Sequence, residues 1–379
     1  MVTSRLYFVL FVCISSAFTS GLTFGFSSAT TLQIYFDSTW IAVFAGLLNA
    51  GGIIGSLWST WLIRHYGHCL TLLLSYGLSV IGWVLLYFSS SAAYERYSPI
   101  VQLVLGRLIT GLGCGLTLST NVIYIYEIIP SSWKVLMGSL FQVGITCGIV
   151  ADYALAIFLN WDTISLVFAL VISFVAVLTY MLPESSEWCV KMGNLQSAEA
   201  SHYWLHGNEI PFKQNGNNLM INGNVPHDIS DLSTKSYTGS FHVLNDSKPK
   251  LRTIFILITF QQLTGMNAII YFAESQTETP MSSMHQVYLN VLVITFTCSW
   301  GPLPLLIALE SFPIINRNYV IKSSLTVGWT VCCFVTFIFE PFILWTSVSV
   351  LFGIFSLCCL LSCVYVYFHI PDMKSMNTT

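Results

Sequence analysis

Charged residues are scarce in this chain of 379 residues, since Asp, Glu, Lys and Arg together make up only 8% of it. A soluble domain carries about 25% charged residues, so the composition excludes an ordinary water-soluble fold. The net charge of -3 is small, and with no long basic segment it does not indicate a nucleic-acid partner. Hydrophobic residues form 55% of the chain and the mean hydropathy is +0.72, which predicts an all-α polytopic membrane protein.

Paired metal-ligand motifs are absent as well. The eleven cysteines show no CxxC…CxxC spacing, and most of them fall inside apolar runs. We interpret them as small apolar residues that form neither a disulfide framework nor a metal site. Because the sequence also shows no paired nucleophile and base and no phosphate-binding loop, we predict no enzymatic activity and no cofactor.

Ten apolar runs are long enough to cross a bilayer, which takes about 20 helical residues. The first follows Arg5 and continues through Phe26, which is too long for a cleaved signal peptide. The others lie near 41–63, 70–90, 100–126, 138–159, 163–182, 251–273, 287–309, 321–341 and 344–369. With a cytosolic N-terminus, all basic residues except Arg96 and Arg107 fall in or beside cytosolic segments. The positive-inside rule therefore predicts that both termini are cytosolic.

A change in composition divides the chain. Residues 1–183 hold six of the runs, and residues 251–379 hold the other four. Between them, residues 184–250 are rich in Asn, Gly, Ser, His and Lys, which predicts a long cytosolic linker with short helices near 195–205.

Glycines recur in the second and fourth runs, where they allow two helix backbones to approach closely. We predict tight helix packing at these positions: Gly46, Gly51, Gly52, Gly55, Gly111, Gly113 and Gly115.

The most unusual stretch is QQLTGMNAIIY at 261–271, which places three carboxamides in an apolar run. Burying an amide without a partner costs about 2–7 kcal/mol, so these side chains need hydrogen bonds. On a continuous helix Gln262, Met266 and Ile269 share one face, which Gln261 and Thr264 flank. Neutral amides suit a polyhydroxylated ligand, because they both donate and accept hydrogen bonds. They also hold helices together in membrane bundles, and the spacing leaves both interpretations open.

The same stretch resembles the seventh-helix signature of the sugar porter branch of the major facilitator superfamily. Further motifs match in the same order as in the family: GRLITGLGCG at 106–115, FQVGITCGI at 141–149, PESSEW at 183–188, GPLP at 301–304 and a degenerate PDMKS at 371–375. The resemblance implies the major facilitator fold, with a six-helix N-terminal half and an incomplete four-helix C-terminal half. Within the family it is closest to the insect facilitated trehalose transporters.

The resemblance also implies roles for particular residues. Four carboxamides are expected to contact sugar hydroxyls: Gln142, Gln261, Gln262 and Asn267. A helix-breaking hinge is expected at Gly301, Pro302 and Pro304.

Charged residues at the cytosolic ends of two runs form a weak internal repeat, as expected of two related halves. Glu127 and Glu310 are each followed by a proline and then by a cation, Lys134 and Arg317 respectively. In the family such residues form ion-pair networks that hold the cytosolic side closed, and we expect the same gating role here. Arg107, a cation inside a run, is expected to make a structural ion pair.

Three departures from the family pattern bear on function. The loop RHYGHC at 64–69 lacks the usual acidic residue and Arg pair, so we expect its gating network not to form normally. After Ala273 the match jumps to the tenth span, which implies that the eighth and ninth spans are missing. Leu305 replaces a sugar-stacking Trp, while Gly328 and Cys332 stand where Asn is common.

The first run carries Phe26-Ser27 where proton-coupled relatives tend to have Tyr-Asp, which favours passive transport. We therefore predict a plasma-membrane uniporter of a hexose or trehalose-like disaccharide, whose partners are the sugar and the lipid bilayer. The alternative is a degenerate, transport-dead paralogue or truncated gene product, with a sugar-binding or sensing role.

Overall fold

A computed structural model describes residues 4–33, 38–92, 99–130, 133–207, 212–215, 218–221, 226–228, 248–272, 283–312 and 314–369. These residues form fourteen helices and one small sheet. In the N-terminal half lie α1 (Ser4–Gln33), α2 (Ser38–Tyr66), α3 (His68–Ala92), α4 (Pro99–Ile128), α5 (Lys134–Ala156) and α6 (Trp161–Tyr180). In the linker lie α7 (Ser186–Lys191), α8 (Leu195–His206), β1 (Phe212–Asn215), β2 (Asn218–Ile221) and β3 (Pro226–Asp228). In the C-terminal half lie α9 (Lys248–Leu263), α10 (Met266–Phe272), α11 (Ser283–Cys298), α12 (Leu303–Ser311), α13 (Ile314–Trp345) and α14 (Val348–His369).

Ten helical segments among the described residues are long and apolar enough to cross a membrane, which confirms the ten predicted runs. Six precede the linker and four follow it. Two of the last four are each built from two helices, α9 with α10 and α11 with α12. We call the end of the bundle where α1 begins the proximal end, and the end where α1 gives way to α2 the distal end.

Backbone-to-backbone contacts hold the N-terminal half together. Helix α4 packs against α2 and α3, and α1 packs against α5. A Cβ atom added at Gly111 would collide with the backbone of Leu48, and one at Gly148 would collide with the backbone of Phe18. The predicted close packing of the second and fourth spans is therefore confirmed.

The C-terminal half docks on this body mainly through α13 on α2, with further contacts of α10 on α1, α11 on α5 and α13 on α4. Its own members are less enclosed. In the last span, Ser349–His369, only 17% of the most apolar stretch is buried, compared with 67% in the first span. Most of the last span is therefore exposed on the outside of the described bundle.

Short helices occur in the linker where the sequence predicted them. Ser185 caps α7 by accepting a hydrogen bond from the backbone N–H of Trp188 at 3.3 Å. Asn194 caps α8 in the same way through Ser197 at 3.1 Å. The linker also contains an antiparallel sheet of order β1-β2-β3, which the all-α prediction did not include.

Candidate functional site

A cavity of about 180 Å³ lies between the two halves. Its lining comes from α1, α4 and α5 on one side and from α9 to α13 on the other. In transporters built from two related halves, substrates bind at such an interface near the bilayer midplane. The position of the cavity thus makes it the candidate site.

A break in the seventh span shapes one wall of the cavity. Gly265 has φ +76°, a left-handed conformation that favours glycine, and a Cβ atom there would collide with the Phe355 ring. The helix stops before this residue and restarts after it, so the predicted continuous helix was wrong. Gln262 and Met266 still line the cavity, but Ile269 is not part of the described lining.

The Gln261 side chain forms hydrogen bonds across a second helix break, which lies between α11 and α12. Pro304 has no backbone N–H, so the carbonyl of Trp300, four residues earlier, loses its helical donor. The Gln261 amide donates instead to that carbonyl at 3.2 Å and to the carbonyl of Gly301 at 2.6 Å. The predicted proline-broken helix is therefore present, and Gln261 spans the gap.

The other predicted carboxamides lie in the same place. Asn267 donates a hydrogen bond to the side-chain oxygen of Gln262. Gln142 packs beside Gly301, where a Cβ atom would lie 3.0 Å from the carboxamide carbon. All four carboxamides thus line one cavity, and three of them also bind protein groups. The hydrogen bonds of Gln261 thus bridge helices, which is one of the two interpretations left open by the sequence. The position of the carboxamides in the cavity is the basis for proposing the other, ligand binding.

Three hydroxyl-bearing residues of the cavity were missed in the sequence. The side chains of Thr146 and Thr297 hydrogen-bond to each other between α5 and α11. The buried hydroxyl of Ser324 also lines the cavity and has no hydrogen-bond partner among the residues that the structure describes. Of the three, only Thr146 could have been identified from the sequence, because it follows Gln142 by four residues and therefore lies on the same helix face.

The cavity carries no charge on its described lining, which combines amides, hydroxyls, aromatic rings and aliphatic side chains. The replaced positions Leu305, Gly328 and Cys332 all belong to this lining. Within the described residues, no three His, Cys, Asp or Glu side chains are grouped to hold a metal ion. Such a lining suits a neutral, hydroxyl-rich molecule bound without covalent chemistry.

A polar network lies at the proximal end, outside the cavity. His68 begins α3, and its imidazole lies 2.9 Å from a carboxylate oxygen of Glu184 and 3.5 Å from one of Glu127. Glu127 also contacts Lys191 at 3.3 Å and accepts a hydrogen bond from the hydroxyl of Ser185. These contacts join α3 and α4 to the linker helix α7.

Glu184 closes the network by capping α3. It accepts hydrogen bonds from the backbone N–H groups of His68 at 2.9 Å, Cys69 at 3.1 Å and Ser185 at 3.0 Å. The N–H groups at the start of α3 have no acceptor within the helix, and the helix dipole favours a negative charge there. Burial alone would raise the pKa of Glu184, but the hydrogen bond and charge of His68 and the backbone donors hold that pKa below its ordinary value.

The network differs from the predicted gate. The sequence led us to expect no normal network around 64–69, yet His68 from that loop contacts both carboxylates. Of the predicted gating residues, Glu127 belongs to it, while Lys134 lies 5.5 Å from the Tyr126 ring and Glu310 is exposed. The side chain of Arg317 lies outside the described part of the chain, as does the PDMKS motif.

Arg107 lies far from this network. It precedes Glu127 by twenty residues of α4, about 30 Å along the helix. Its guanidinium is buried, donates to the carbonyl of Thr23 at 3.3 Å and to the hydroxyl of Ser27, and is close enough to Asp152 for electrostatic attraction. Asp152, buried on α5, is thus a carboxylate that attracts the Arg107 guanidinium electrostatically.

Comparison with known proteins agrees with this architecture. A family profile described as "Sugar (and other) transporter" matches residues 9–279 and 274–378. The Arabidopsis thaliana protein "Sugar transporter ERD6-like 9" is 29% identical over 72% of this chain and 80% of its own length. The Bos taurus protein "Solute carrier family 2, facilitated glucose transporter member 8" is 25% identical over 78% of this chain and 60% of its own length. The match to "Sugar transporter ERD6-like 6" spans only 50% of that relative.

Solved structures show the same fold. The xylose symporter XylE bound to 6-bromo-6-deoxy-D-glucose superposes with a TM-score of 0.75 at 16% identity, covering 98% of this chain and 97% of that one. The inward-open form of XylE from E. coli gives a TM-score of 0.71 at 16% identity, covering 97% of each chain. Since the family profile matches almost the whole chain, this integral membrane protein belongs to the sugar porter family of the major facilitator superfamily.

Proposed function

We propose that this chain is a facilitative carrier that moves a hexose or a trehalose-like disaccharide across a membrane by alternating access. The observation that carries the proposal is the uncharged cavity between the two halves, lined by Gln142, Gln261, Gln262 and Asn267. Carboxamides pair with sugar hydroxyls as both donors and acceptors. The printed names of the relatives support a sugar substrate, and the resemblance to insect trehalose carriers motivates the disaccharide.

The proposed mode is uniport. The first span has Ser27 where a proton-titrating carboxylate is expected in coupled relatives, and Asp152, a buried carboxylate of α5, is close enough to the Arg107 guanidinium for electrostatic attraction. A carboxylate held by a buried cation has its charge compensated without a proton. We further propose a plasma-membrane location with both termini cytosolic, on the basis of the distribution of basic residues.

Transport by the purified chain in liposomes tests the proposal. We expect saturable uptake of radiolabelled glucose or trehalose, and about a tenfold loss of uptake in Gln261→Ala, because leaving a buried polar partner without its hydrogen bond costs about 1–3 kcal/mol. Gln102→Ala is the matched control, since Gln102 lies on α4 outside the described cavity lining. If uptake of both sugars is no higher than in protein-free liposomes, the result supports the transport-dead alternative. Uptake that collapses with the proton gradient would exclude uniport.

We also propose that this chain lacks the eighth and ninth spans of the family. Two findings support this: the family profile matches in two segments that meet at 274–279, and the alignment to "Sugar transporter ERD6" runs over 453 residues against a chain of 379. The junction lies outside the described residues, which stop at 272 and resume at 283.

Sequencing full-length cDNA across the codons for 271–287 tests this second proposal. If a longer protein exists, the transcript will contain an additional segment of about 50–70 codons, enough for two spans and a loop. In that case the carrier function applies to the complete protein. A transcript that is contiguous as written makes the ten-span form genuine, and transport must then be shown for it directly.

A further inference from the structure

A single buried amide joins the two halves on the distal side of the cavity. Asn49 lies in the first half of α2 and is fully buried. Its oxygen accepts hydrogen bonds from the hydroxyl of Tyr271 at 3.1 Å and the thiol of Cys332 at 3.5 Å. Its nitrogen donates to the hydroxyl of Thr336 at 3.1 Å. All three partners belong to the C-terminal half.

The position of these bonds matters for access to the cavity. Tyr271 and Cys332 line the cavity and also bind Asn49, whereas Asn49 and Thr336 are outside the lining. Thr336 lies in the distal part of α13, and Tyr271 lies near the distal end of α10. The bonds of Asn49 therefore form part of the layer between the cavity and the distal surface.

A neighbouring contact closes the same layer. The hydroxyl of Tyr153 on α5 donates to the carbonyl of Ile270 on α10 at 3.0 Å. Thr336 is itself fixed, because its hydroxyl donates to the carbonyl of Cys332 at 2.7 Å. The side chain of Asn49 thus contacts a Thr336 hydroxyl whose orientation is set by its own hydrogen bond.

Separation of the halves at the distal end would break all three bonds of Asn49 at once. A buried amide left without partners is costly, so these bonds favour the distally closed state. A group that interacts with only one of two conformations shifts the equilibrium by that difference in interaction. Asn49 meets this condition, since its partners lie across the interface that must open.

We infer that Asn49 is a positioning residue that holds the carrier closed on the distal side of the cavity, by hydrogen bonding to Tyr271, Cys332 and Thr336. The inference rests on the proposed alternating-access function. It identifies a residue of the second span that belongs to none of the family motifs in this sequence.

The native Cys332 thiol reports the state of this layer. In sealed vesicles of each orientation, a membrane-impermeant maleimide is added outside, and modification of the Cys332 peptide is followed by mass spectrometry. In Asn49→Ala we expect labelling from the distal face to be about tenfold faster, and labelling from the proximal face to be slower. Greater chemical reactivity of the thiol would instead accelerate labelling from both faces.

Asn121→Ala is the matched control. Asn121 is also buried, and its amide donates to the carbonyl of Cys13 at 2.9 Å, but both residues belong to the N-terminal half. Thr336→Val removes one partner of Asn49, leaves the contact with Cys332 in place, and is expected to show the same sidedness. If Asn49→Ala does not reach the membrane, the labelling of Thr336→Val tests the inference in its place.

Labelling rates of Asn49→Ala and Thr336→Val that equal those of Asn121→Ala on both faces would overturn the inference. The readout requires no sugar, so it is separable from the transport test. Sided labelling changes without any sugar uptake would retain the role of Asn49 and reject the carrier function.

Discussion

Arg107→Met is expected to destabilise the protein by about 3–5 kcal/mol, the usual cost of leaving a buried charge without compensation. The substitution removes the guanidinium that contacts Thr23 and Ser27 and leaves the carboxylate of Asp152 buried without its cation. The measurement is the thermal unfolding midpoint of the purified protein in detergent. Arg64→Met, at an exposed position near the end of α2, is expected to change the midpoint little.

The double variant Arg107→Met/Asp152→Asn isolates the electrostatic cause. Neutralising the carboxylate removes the buried charge, so the double variant is expected to unfold at a higher temperature than Arg107→Met alone. Arg107→Lys keeps the charge but loses the forked geometry, and is expected to lie between them. A double variant no more stable than the single one would show that Asp152 is not the relevant partner.

Glu184→Ala is expected to release α7 and α8 from the proximal end of the bundle, at a cost of about 3 kcal/mol. The loss leaves the backbone N–H groups of His68 and Cys69 without their acceptor, and the His68 imidazole loses its 2.9 Å contact. Hydrogen exchange of residues 186–206 measures the release. Glu199→Ala, at an exposed position on α8, is the control, and equal exchange in the two variants would contradict the docking role.

The same site predicts a dependence on pH with a definite sign. Because the pKa of Glu184 is lowered in the folded protein, its stabilisation is complete above the pKa of an unfolded glutamate, about 4.3. It is lost as the pH falls through the lower, folded-state pKa. Exchange of 186–206 should therefore accelerate in that acidic window in the native chain. Glu184→Gln has no carboxylate to titrate there, so its acceleration should be smaller.

Most of the fold was predictable from the sequence, and the reason is physical. A span must be long, apolar and internally hydrogen-bonded, so composition and run length alone predicted all ten segments. The glycine pattern predicted the tight pairing of α2 with α4 for a similar reason. The break at Gly265 was missed because a glycine tolerates both signs of φ, and only the packing around it selects one.

The site was predictable only where its residues belong to a recognisable sequence motif. The four carboxamides were identified from motifs and do line one cavity, whereas Thr297 and Ser324 come from runs with no distinctive pattern. The proximal network joins His68, Glu127 and Glu184, each separated from the next by more than fifty residues. A charge balance assembled over such distances is a property of the tertiary structure.

The unequal burial of the two halves has a consequence for biosynthesis. The ribosome completes the first six spans before the linker and the last four spans exist, and N-terminal units generally fold first during synthesis. Because α1 to α5 bind one another through close backbone contacts, this body has what it needs to assemble in the bilayer at that stage. The later spans then find a preformed surface on α1, α2 and α5. We therefore expect the N-terminal half to fold first and to serve as the surface on which the later spans assemble.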